Sequence, residues 1–488
     1  MQPMKIGTKS INCRNYINGQ FIDVQDEMKF ENINPATEEV VGWIAEATKD
    51  QVDDAVAAAK AALKGPWKEF TTKERSQILR RIGDLILENV EELAVLEATD
   101  TGKPYLLALE MDIKRSAHNF HFFADYLTSL GNESYNQDNI ALHYSVTRPV
   151  GVVAMINPWN LPLLLLTWKL APCLAAGSTA VMKPAELTPM TATRLVELCK
   201  EAGVPDGVVN LVHGFGGNST GAFLSEHPDV DAITFTGETR TGTTIMKAAA
   251  PTLKKVSFEL GGKNPNIIFA DSDLDEVIET TLKSSFMNQG QVCLCGSRIY
   301  VERPIFDAFI ERFVARTNEL KIGDPFEDST NIGSVVGKEH YEKVMGYIDI
   351  AREEGGQILT GGGRPAGIEK GYFIEPTIIV GLTQNSRCVK EEIFGPVVAV
   401  LPFDTEEEVL DYANDTNYGL GATIWTNDLR RAHRVAGQIE SGIVWVNTWY
   451  LRDLRTPFGG MKHSGIGREG GAHSFEFYCE VSNITIKL

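Results

Sequence analysis

The spacing of apolar residues predicts a β-rich start followed by helices. Residues 16–45 contain short alternating segments, and Asn18-Gly19 between two apolar runs is typical of a β-hairpin. From Gln51 onward, alanine and then isoleucine and leucine recur every three or four positions, which predicts two long helices. A third helix is expected to end near Gly131.

Between residues 151 and 269, runs of β-branched residues alternate with helical patterns. The runs that resemble strands are 152–156, 180–182, 208–212, 232–235 and 267–269. This βαβ repetition predicts a parallel α/β sheet with helices on both faces. Ligands of such sheets bind beyond the carboxyl ends of the strands, where Asn157, Lys183 and Thr236 stand.

A second α/β pattern starts after Leu274 and continues to about residue 460, with strands expected near residues 373–380 and 397–402. The tail, residues 479–488, alternates apolar and polar positions. It predicts an edge strand that another subunit could cover.

Composition narrows the classes of partner. With 46 basic and 65 acidic residues the formal charge is −19, which disfavours nucleic acid and anionic membrane surfaces. The most apolar run, 150–168, is interrupted by polar residues and prolines, so it does not predict a membrane span. The beginning of the chain has no long apolar segment, and seven scattered cysteines make a poor disulfide framework, so we expect a cytoplasmic protein. The cysteines also lack zinc-ligand spacing, and no metal site is expected.

Candidate chemistry centres on Cys293. It follows the polar segment 288–291 behind a predicted helix over 275–287, which would leave its thiol at a loop tip. A thiol becomes a strong nucleophile where electropositive or hydrogen-bond-donating neighbours favour the thiolate. The alternative is that Cys293 and Cys295 are both small buried hydrophobes.

The chain has no Gly-x-Gly-x-x-Gly sequence after any predicted strand. The glycine-containing segments 213–217 and 236–242 could direct backbone N–H groups at a pyrophosphate, although each also resembles an ordinary strand-to-helix turn. Glu259 is expected at a strand end beside paired glycines, with a solvated surface carboxylate as the alternative.

Several separated motifs, in order over nearly the whole chain, resemble the aldehyde dehydrogenase superfamily. They are Pro158-Trp159-Asn160, Lys183-Pro184-Ala185-Glu186, Phe235-Thr236-Gly237, Glu259-Leu260-Gly261-Gly262, Asn288-Gln289-Gly290-Gln291-Val292-Cys293, Glu391-Glu392-Ile393-Phe394-Gly395-Pro396 and Pro457-Phe458-Gly459-Gly460.

The resemblance implies an α/β fold of two Rossmann-like parallel domains plus a small β oligomerisation element. Residues 1–126 and 150–261 would form the NAD-binding domain, and residues 262–461 the catalytic domain. Residues 127–149 and 477–488 would form the oligomerisation element of a homodimer or homotetramer.

The resemblance also implies a reaction. The Cys293 thiolate would attack the aldehyde carbon, and the side-chain amide of Asn160 with the backbone N–H of Cys293 would hold the oxyanion. NAD would accept the hydride, and Glu259 would activate water to hydrolyse the thioester, giving a free carboxylate rather than an acyl-CoA. Lys169 and Glu469 resemble a proton-transfer pair behind Glu259, or equally a structural ion pair.

For the cofactor, Lys183 and Glu186 resemble the residues that hold the adenosine ribose. A carboxylate there would repel a 2′-phosphate, so NAD is expected rather than NADP. Glu238 stands where many relatives have serine, so a contact with the pyrophosphate is not expected of it. The full set expected to bind the cofactor is Ile156, Asn157, Trp159, Lys183, Glu186, Gly216, Phe235, Thr236, Gly237, Leu260, Glu392 and Phe394.

Segments 445–458, 112–115 and 162–169 resemble 2-hydroxymuconate- and 2-aminomuconate-semialdehyde dehydrogenases, without discriminating between them. That resemblance implies a small aldehyde substrate with a distal carboxylate. Arg115 and Arg455 are expected to clamp the carboxylate, unless Arg452 and Arg455 pair with Asp453 or another acid at the surface. The substrate-binding set also includes Leu166, Trp168 and Phe458. The alternatives are a broad-specificity or betaine-type aldehyde dehydrogenase, and a non-catalytic structural or binding relative.

Overall fold

The computed structural model describes residue 9 and residues 11–488. The first residues of the predicted cofactor domain, 1–8, and residue 10 lie outside this part. The strands are β1 (Asn15–Ile17), β2 (Gln20–Ile22), β3 (Lys29–Asn34), β4 (Glu39–Ala45), β5 (Ser134–Gln137), β6 (Ala141–Pro149), β7 (Val152–Ile156), β8 (Thr179–Lys183), β9 (Val209–Leu211), β10 (Ala232–Thr236), β11 (Lys255–Glu259), β12 (Pro265–Ile268), β13 (Arg298–Glu302), β14 (Gln357–Thr360), β15 (Thr377–Val380), β16 (Val397–Phe403), β17 (Tyr418–Gly419), β18 (Gly421–Trp425), β19 (Ile443–Val446), β20 (Met461–Lys462), β21 (Gly465–Ile466) and β22 (Cys479–Lys487).

The helices are α1 (Lys49–Ala62), α2 (Thr72–Glu88), α3 (Val90–Thr101), α4 (Tyr105–Leu107), α5 (Lys114–Leu127), α6 (Pro162–Ala176), α7 (Met190–Glu201), α8 (Thr220–Glu226), α9 (Thr239–Ala249), α10 (Leu274–Phe286), α11 (Phe306–Thr317), α12 (Lys338–Glu353), α13 (Arg387–Lys390), α14 (Glu406–Asn414), α15 (Leu429–Ala436) and α16 (Gly471–Tyr478). A π-helical segment, Ala108–Ile113, joins α4 to α5. Capping boxes at Thr48 and Thr71 satisfy the first backbone N–H groups of α1 and α2.

The first sheet has eight strands in the order β2-β1-β9-β8-β7-β10-β11-β21. Its centre, from β9 to β11, is parallel, as the βαβ pattern predicted. Ile156 is in register with both Lys183 and Phe235, while Thr236 is in register with Glu259. The carboxyl ends of these strands therefore meet along one edge, where the predicted cofactor residues are concentrated.

The second sheet has seven strands in the order β14-β15-β16-β13-β12-β18-β19, all parallel except β14. Strand β12 belongs to this sheet, although the sequence grouped its residues with the first one. Hydrophobic periodicity marks a buried strand but does not say which sheet it joins. The chain crosses between the sheets over residues 260–264, directly after Glu259.

The third sheet has three strands in the order β22-β6-β5. The tail strand β22 pairs antiparallel with β6 over nine residue pairs, from Cys479 with Pro149 to Lys487 with Ala141. The predicted edge strand is thus confirmed. The strands of this third sheet begin later than residue 127, where the predicted oligomerisation element starts, because α5 continues to Leu127 and β5 begins at Ser134.

Helix α6 explains the apolar run after β7. Almost every residue from Pro162 to Ala176 is buried, and the helix packs against α5, α2 and α16. A helix that is hydrophobic all round belongs in the core of a large protein. Among the described residues, no helix is both long enough and apolar enough to cross a bilayer.

Candidate active site

Cys293 lies on a loop whose backbone is held in an unusual conformation. After α10, Asn288 and Gln289 are left-handed with φ of 54° and 56°, and Gly290 has φ of 69°. A Cβ at Gly290 would lie 2.2 Å from the Gly395 carbonyl oxygen, so only glycine fits there. Such strained backbone persists where the surrounding structure determines it.

Side-chain hydrogen bonds fix this loop from both sides. Gln289 donates to the Ser334 carbonyl at 2.9 Å, and Gln291 accepts from the Val336 N–H at 3.0 Å. Asn264 donates to the carbonyls of Cys293 and Cys295 at 2.7 and 2.8 Å. The thiol of Cys293 therefore sits on a rigid support, whereas Cys295 is buried in a small apolar cluster.

The half-buried Cys293 lines a largely apolar cavity. The lining residues within the described part of the chain are Arg115, Asn119, Leu161, Leu164, Leu165, Trp168, Val292, Cys293, Leu294, Trp445, Tyr450, Arg452 and Phe458. Apolar walls with a few placed polar groups are typical of small-molecule sites.

The neighbours of the thiol differ from those the sequence led us to expect. Burial, followed by the nearby Glu259 and Glu392 carboxylates, raises the pKa of Cys293. The resting thiol is therefore protonated at neutral pH, and a base must remove its proton before it can act as a nucleophile.

Asn160 follows β7 and is 5% exposed. Its side-chain amide donates to the Gln291 carbonyl at 2.9 Å, which places it against the Cys293 loop. Its own backbone carbonyl accepts from Asn288 Nδ2 at 3.1 Å and from Lys103 Nζ at 3.0 Å. The structure thus brings the Asn160 amide to the loop that carries Cys293.

Glu259 ends β11 and is 5% exposed, so it is not a solvated surface carboxylate. Within the described residues, neither of its carboxylate oxygens has a hydrogen-bond partner. Burial, together with the charge of Glu469, raises its pKa well above the ordinary value, while Lys169 and Arg452 act in the opposite direction. An unpartnered buried carboxyl with a raised pKa, close to a thiol, suits a general base.

Lys169 and Glu469 form a buried ion pair, with 2.7 Å between Nζ and Oε1. Antiparallel backbone hydrogen bonds join Glu469 to Phe458, which lines the Cys293 cavity. Both members influence Glu259 electrostatically. The ion pair that the sequence analysis allowed is thus present and acts on Glu259 electrostatically. Its role in proton transfer stays a prediction.

The adenosine end of the predicted cofactor site lies at the strand ends. Lys183 Nζ lies 3.4 Å from Glu186 Oε2. Asn157 and Thr236 carry buried polar side-chain atoms that lack partners in the described chain. Buried polar groups are normally hydrogen-bonded, so these atoms fit a polar ligand such as NAD.

Glycine and apolar residues shape the rest of this edge. Gly216 is exposed, and space is open where a side chain would project from it. Leu260 packs against α9 at Gly242, where an added Cβ would lie 2.8 Å from Leu260 Cδ2. A Cβ at Gly237 would collide with the Phe235 ring at 2.5 Å. Glu238 precedes α9, and its side chain points to solvent beside Arg240. A contact between Glu238 and a pyrophosphate is therefore not expected.

At the other end of the predicted cofactor site, Glu392 accepts from the Gly262 N–H at 2.8 Å, and Trp159 contacts Phe394 edge to face at 5.3 Å between ring centroids. Sequence reasoning missed His340 here. Its ring packs 4.9 Å from Trp159, and its Nε2 donates to the Phe394 carbonyl at 2.7 Å. A single histidine in a helical sequence does not indicate that its ring will pack against Trp159.

Two arginines face the cavity of Cys293. Arg115 and the half-buried Arg452 both line it. The Arg452 guanidinium is sandwiched between the rings of Trp168 and Phe458, at 4.1 and 3.9 Å from their centroids. Burial and the neighbouring Arg115 lower the pKa of Arg452 to about 10, so it stays charged at neutral pH. Its Nε and Nη2 are without hydrogen-bond partners in the described residues.

Within the described chain, Arg455 and Leu166 are not among the residues that line the cavity of Cys293. Arg455 lines an adjoining cavity together with Arg115 and Arg452; its side chain is 71% exposed and hydrogen-bonded to Asp453 at 2.6 Å, the surface alternative raised from the sequence. Leu166 packs into the main core, and Leu165 lines the cavity instead. The helical period explains this, because Leu165 and Trp168 share one face of α6 and Leu166 points away.

Comparison with known proteins extends these observations. A model of the aldehyde dehydrogenase family matches residues 21–484. The chain is 53% identical over 482 residues to 2-hydroxymuconic semialdehyde dehydrogenase of Pseudomonas sp. (strain CF600), covering 97% of this chain and 99% of that protein. It is 46% identical over 479 residues to 2-aminomuconic semialdehyde dehydrogenase of Homo sapiens, covering 97% and 98%.

The fold comparison agrees with the sequence comparison. The NAD+ complex of aldehyde dehydrogenase from Bacillus cereus superposes with a TM-score of 0.95 at 43% identity, covering 98% of this chain and 97% of that chain. The two parallel sheets and the small third sheet thus form an aldehyde dehydrogenase fold. With a family match over most of its length and near-full-length relatives, the chain belongs to the aldehyde dehydrogenase family.

Proposed function

We propose that this aldehyde dehydrogenase uses NAD to oxidise a small aldehyde that carries a carboxylate at its far end, of the muconate semialdehyde type. The observation that carries the proposal is Arg452, whose Nε and Nη2 lack partners within the described residues of a cavity shared with Cys293. A charged, desolvated guanidinium requires an anion, and a carboxylate offers the matching pair of acceptors. The near-full-length relatives named for muconic semialdehydes support the same substrate class.

The first step is attack by Cys293. The Glu259 carboxylate takes the thiol proton, and sulfur forms a bond to the aldehyde carbon. The Asn160 amide and the Cys293 backbone N–H stabilise the negative charge on the aldehyde oxygen. NAD, held by the residues at the strand ends, would supply the hydride acceptor, and oxidation of the aldehyde carbon would leave a thioester on Cys293.

The second step is hydrolysis. Glu259 removes a proton from a water molecule that attacks the thioester carbon, and the bond to Cys293 breaks to release the acid. Lys169 and Glu469 would pass the proton from Glu259 onward. The two-step use of Glu259 fits a carboxyl whose raised pKa makes it a stronger base than an exposed glutamate.

The residues of the predicted cofactor site would orient the bound NAD. Lys183 and Glu186 would hold the adenosine ribose, with the carboxylate favouring NAD over NADP. Glu392 and Phe394 would position the nicotinamide end beside Trp159. Asn157 and Thr236 would donate or accept hydrogen bonds along the strand ends. The remaining predicted contacts are Ile156, Gly216, Phe235, Gly237 and Leu260.

A substrate panel with matched arginine variants tests the proposal. Arg452→Met should raise KM for a muconate semialdehyde about 10- to 100-fold, since a hydrogen bond to a charged group is worth about 1.5–3 kcal/mol. Hexanal, which has no carboxylate, should be oxidised almost as before. Arg115→Met should behave similarly, and Arg455→Met should have a smaller effect because Asp453 already occupies it.

The outcomes separate the alternatives. Equal losses on both aldehydes in Arg452→Met would exclude its role in carboxylate binding. A loss in Arg455→Met as large as that in Arg452→Met would mean that Arg455 leaves Asp453 when substrate binds, as the sequence suggested. A wild-type enzyme without preference for the carboxylate-bearing aldehyde would favour the broad-specificity alternative, and absence of NADH formation the non-catalytic one.

A betaine-type substrate is disfavoured by the same cavity. A quaternary ammonium binds on aromatic faces, but Arg452 already occupies the space between Trp168 and Phe458. A cationic substrate would therefore meet a like charge.

For the assembly, we propose the domain division expected from the sequence, with residues 1–126 and 150–261 binding NAD, residues 262–461 carrying the catalytic loop, and residues 127–149 and 477–488 contacting a partner. The exposed apolar side chains of the third sheet support a homodimer or homotetramer. A cytoplasmic location stays a prediction.

A further inference from the structure

A buried cluster of charges lies behind the active-site loop. The side chains of Lys103, Glu97 and Asp112 are all 0% exposed. Lys103 Nζ donates to Asp112 Oδ2 at 2.6 Å and lies 3.7 Å from Glu97 Oε1. Glu97 belongs to α3 and Asp112 to the π-helical segment before α5, so the cluster joins two elements of the helical layer.

The third neighbour of the lysine connects this cluster to the chemistry. Lys103 Nζ donates to the backbone carbonyl of Asn160 at 3.0 Å. The same carbonyl accepts from Asn288, whose Nδ2 also lies 3.2 Å from the Gln291 carbonyl. The Asn160 amide donates to that Gln291 carbonyl as well. One closed set of hydrogen bonds thus links the buried cation, Asn160 and the loop that precedes Cys293.

Stability alone is a poor account of this arrangement. Burying a lysine with two carboxyl groups carries a desolvation cost that can exceed their mutual attraction, and apolar side chains of the same shape are often equally stable in such places. Their hydrogen bonds, in contrast, specify geometry. An oxyanion donor is effective only if it is held in place before charge develops.

We propose that Lys103 is a positioning residue for Asn160. By donating to the Asn160 carbonyl, it holds the peptide that directs the side-chain amide at the aldehyde oxygen. The inference rests on the proposed function in one respect, namely that Asn160 stabilises the oxyanion.

A double-mutant cycle between Lys103→Met and Asn160→Ala tests the idea. The readout is the single-turnover rate of NADH formation with hexanal, so the result does not depend on carboxylate recognition. Asn160→Ala should slow this step about 10²- to 10³-fold, as expected for loss of one oxyanion donor. Lys103→Met should slow it at least tenfold without changing the dissociation constant of NAD. The double variant should be no slower than Asn160→Ala, because the lysine acts through the asparagine.

The possible results of the double-mutant cycle distinguish a positioning role of Lys103 from an independent one. A double variant slowed by the product of the two single effects would overturn the inference, since it would show that Lys103 acts independently of Asn160. A normal rate in Lys103→Met would do the same. If Asn160→Ala itself reacts normally, the oxyanion role in the proposed function fails instead.

A second variant guards against misfolding. Removing only the lysine leaves two buried carboxyls, and Asp112→Asn in the same chain replaces the carboxyl that accepts from Lys103 with a neutral amide. Glu97 can remain as a neutral acid, because burial raises its pKa to about 7. Lys103→Met/Asp112→Asn should recover the melting temperature of the wild type yet keep the slow single turnover. Recovery of the rate together with stability would show a purely structural role and contradict the proposal.

Discussion

At the scale of single residues, the active site combines a thiol and a carboxyl whose pKa values are both raised. Burial is the main cause of the raised pKa of both Cys293 and Glu259. The carboxylates of Glu259 and Glu392 raise the pKa of the Cys293 thiol further. Both groups must lose a proton for the proposed mechanism, in which Glu259 has two successive tasks.

Glu259→Gln should separate those tasks. The amide fills the same space but takes no proton, so hydrolysis of the thioester should fall at least 10²-fold, within the range typical of a general base. One equivalent of NADH should still appear, more slowly than in the wild type, followed by almost no turnover. Rapid-mixing absorbance at the NADH band measures both phases, and full steady-state turnover in this variant would contradict the assignment.

The rate should also rise with pH. A raised pKa moves the deprotonation of each acid to higher pH, and the active forms, thiolate and carboxylate, gain population as pH increases towards those pKa values. Steady-state kcat/KM for hexanal should therefore increase from pH 6 to 9. A rate that is highest near pH 6 and falls on the alkaline side would show that neither group needs to lose a proton.

At the scale of elements, the turn between α10 and Cys293 has the strictest geometric requirement. Three successive residues, 288–290, have positive φ, and Gly290 approaches the Gly395 carbonyl. The polar segment 288–291 behind a predicted helix indicated a loop at this place. The sequence does not reveal why the glycine is needed, because Gly395 is distant in the chain.

Gly290→Ala should distort this turn. The added methyl would collide with the Gly395 carbonyl oxygen, and the positive φ adds about 1 kcal/mol of backbone strain. We expect kcat to fall at least tenfold, with a lower melting temperature. Gly346→Ala is the matched control, since nothing lies within 4 Å of its added Cβ and alanine favours α12. Comparable losses in both variants would show that the turn has no special role.

At the scale of the whole molecule, the third sheet is the feature least explained by a single chain. Its tail strand β22 forms one edge, and the side chains of Val481 and Ile486 are 67% and 47% exposed. Exposed apolar residues on an unpaired edge are a liability unless another chain covers them.

Val481→Glu combined with Ile486→Glu should therefore weaken the proposed homo-oligomer while leaving the fold of the single chain intact. Because these side chains are solvent-exposed in the single chain, only a subunit contact would make the charges costly. Light scattering after size-exclusion chromatography should show a smaller species at low concentration. Leu429→Glu, the same type of change at a 72% exposed position on α15, should not alter the mass. An unchanged mass in the double variant would place the contact elsewhere.

What the sequence determined by itself was the order of motifs and the local elements between them. Alternation and periodicity predicted the parallel strands of the first sheet and the tail strand, and the motifs located Cys293, Asn160 and Glu259, because these features depend on neighbouring residues in the chain. Tertiary structure decided the contacts between distant segments. Strand β12 lies in the second sheet, the ring of His340 packs against Trp159, and Leu165 rather than Leu166 lines the cavity. Asn447 and Tyr450 are left-handed in the loop before Arg452, whose guanidinium packs between Trp168 and Phe458, whereas Arg455 pairs with Asp453. Such a choice depends on which side chains from other elements fill the space, and no local pattern in the chain records that.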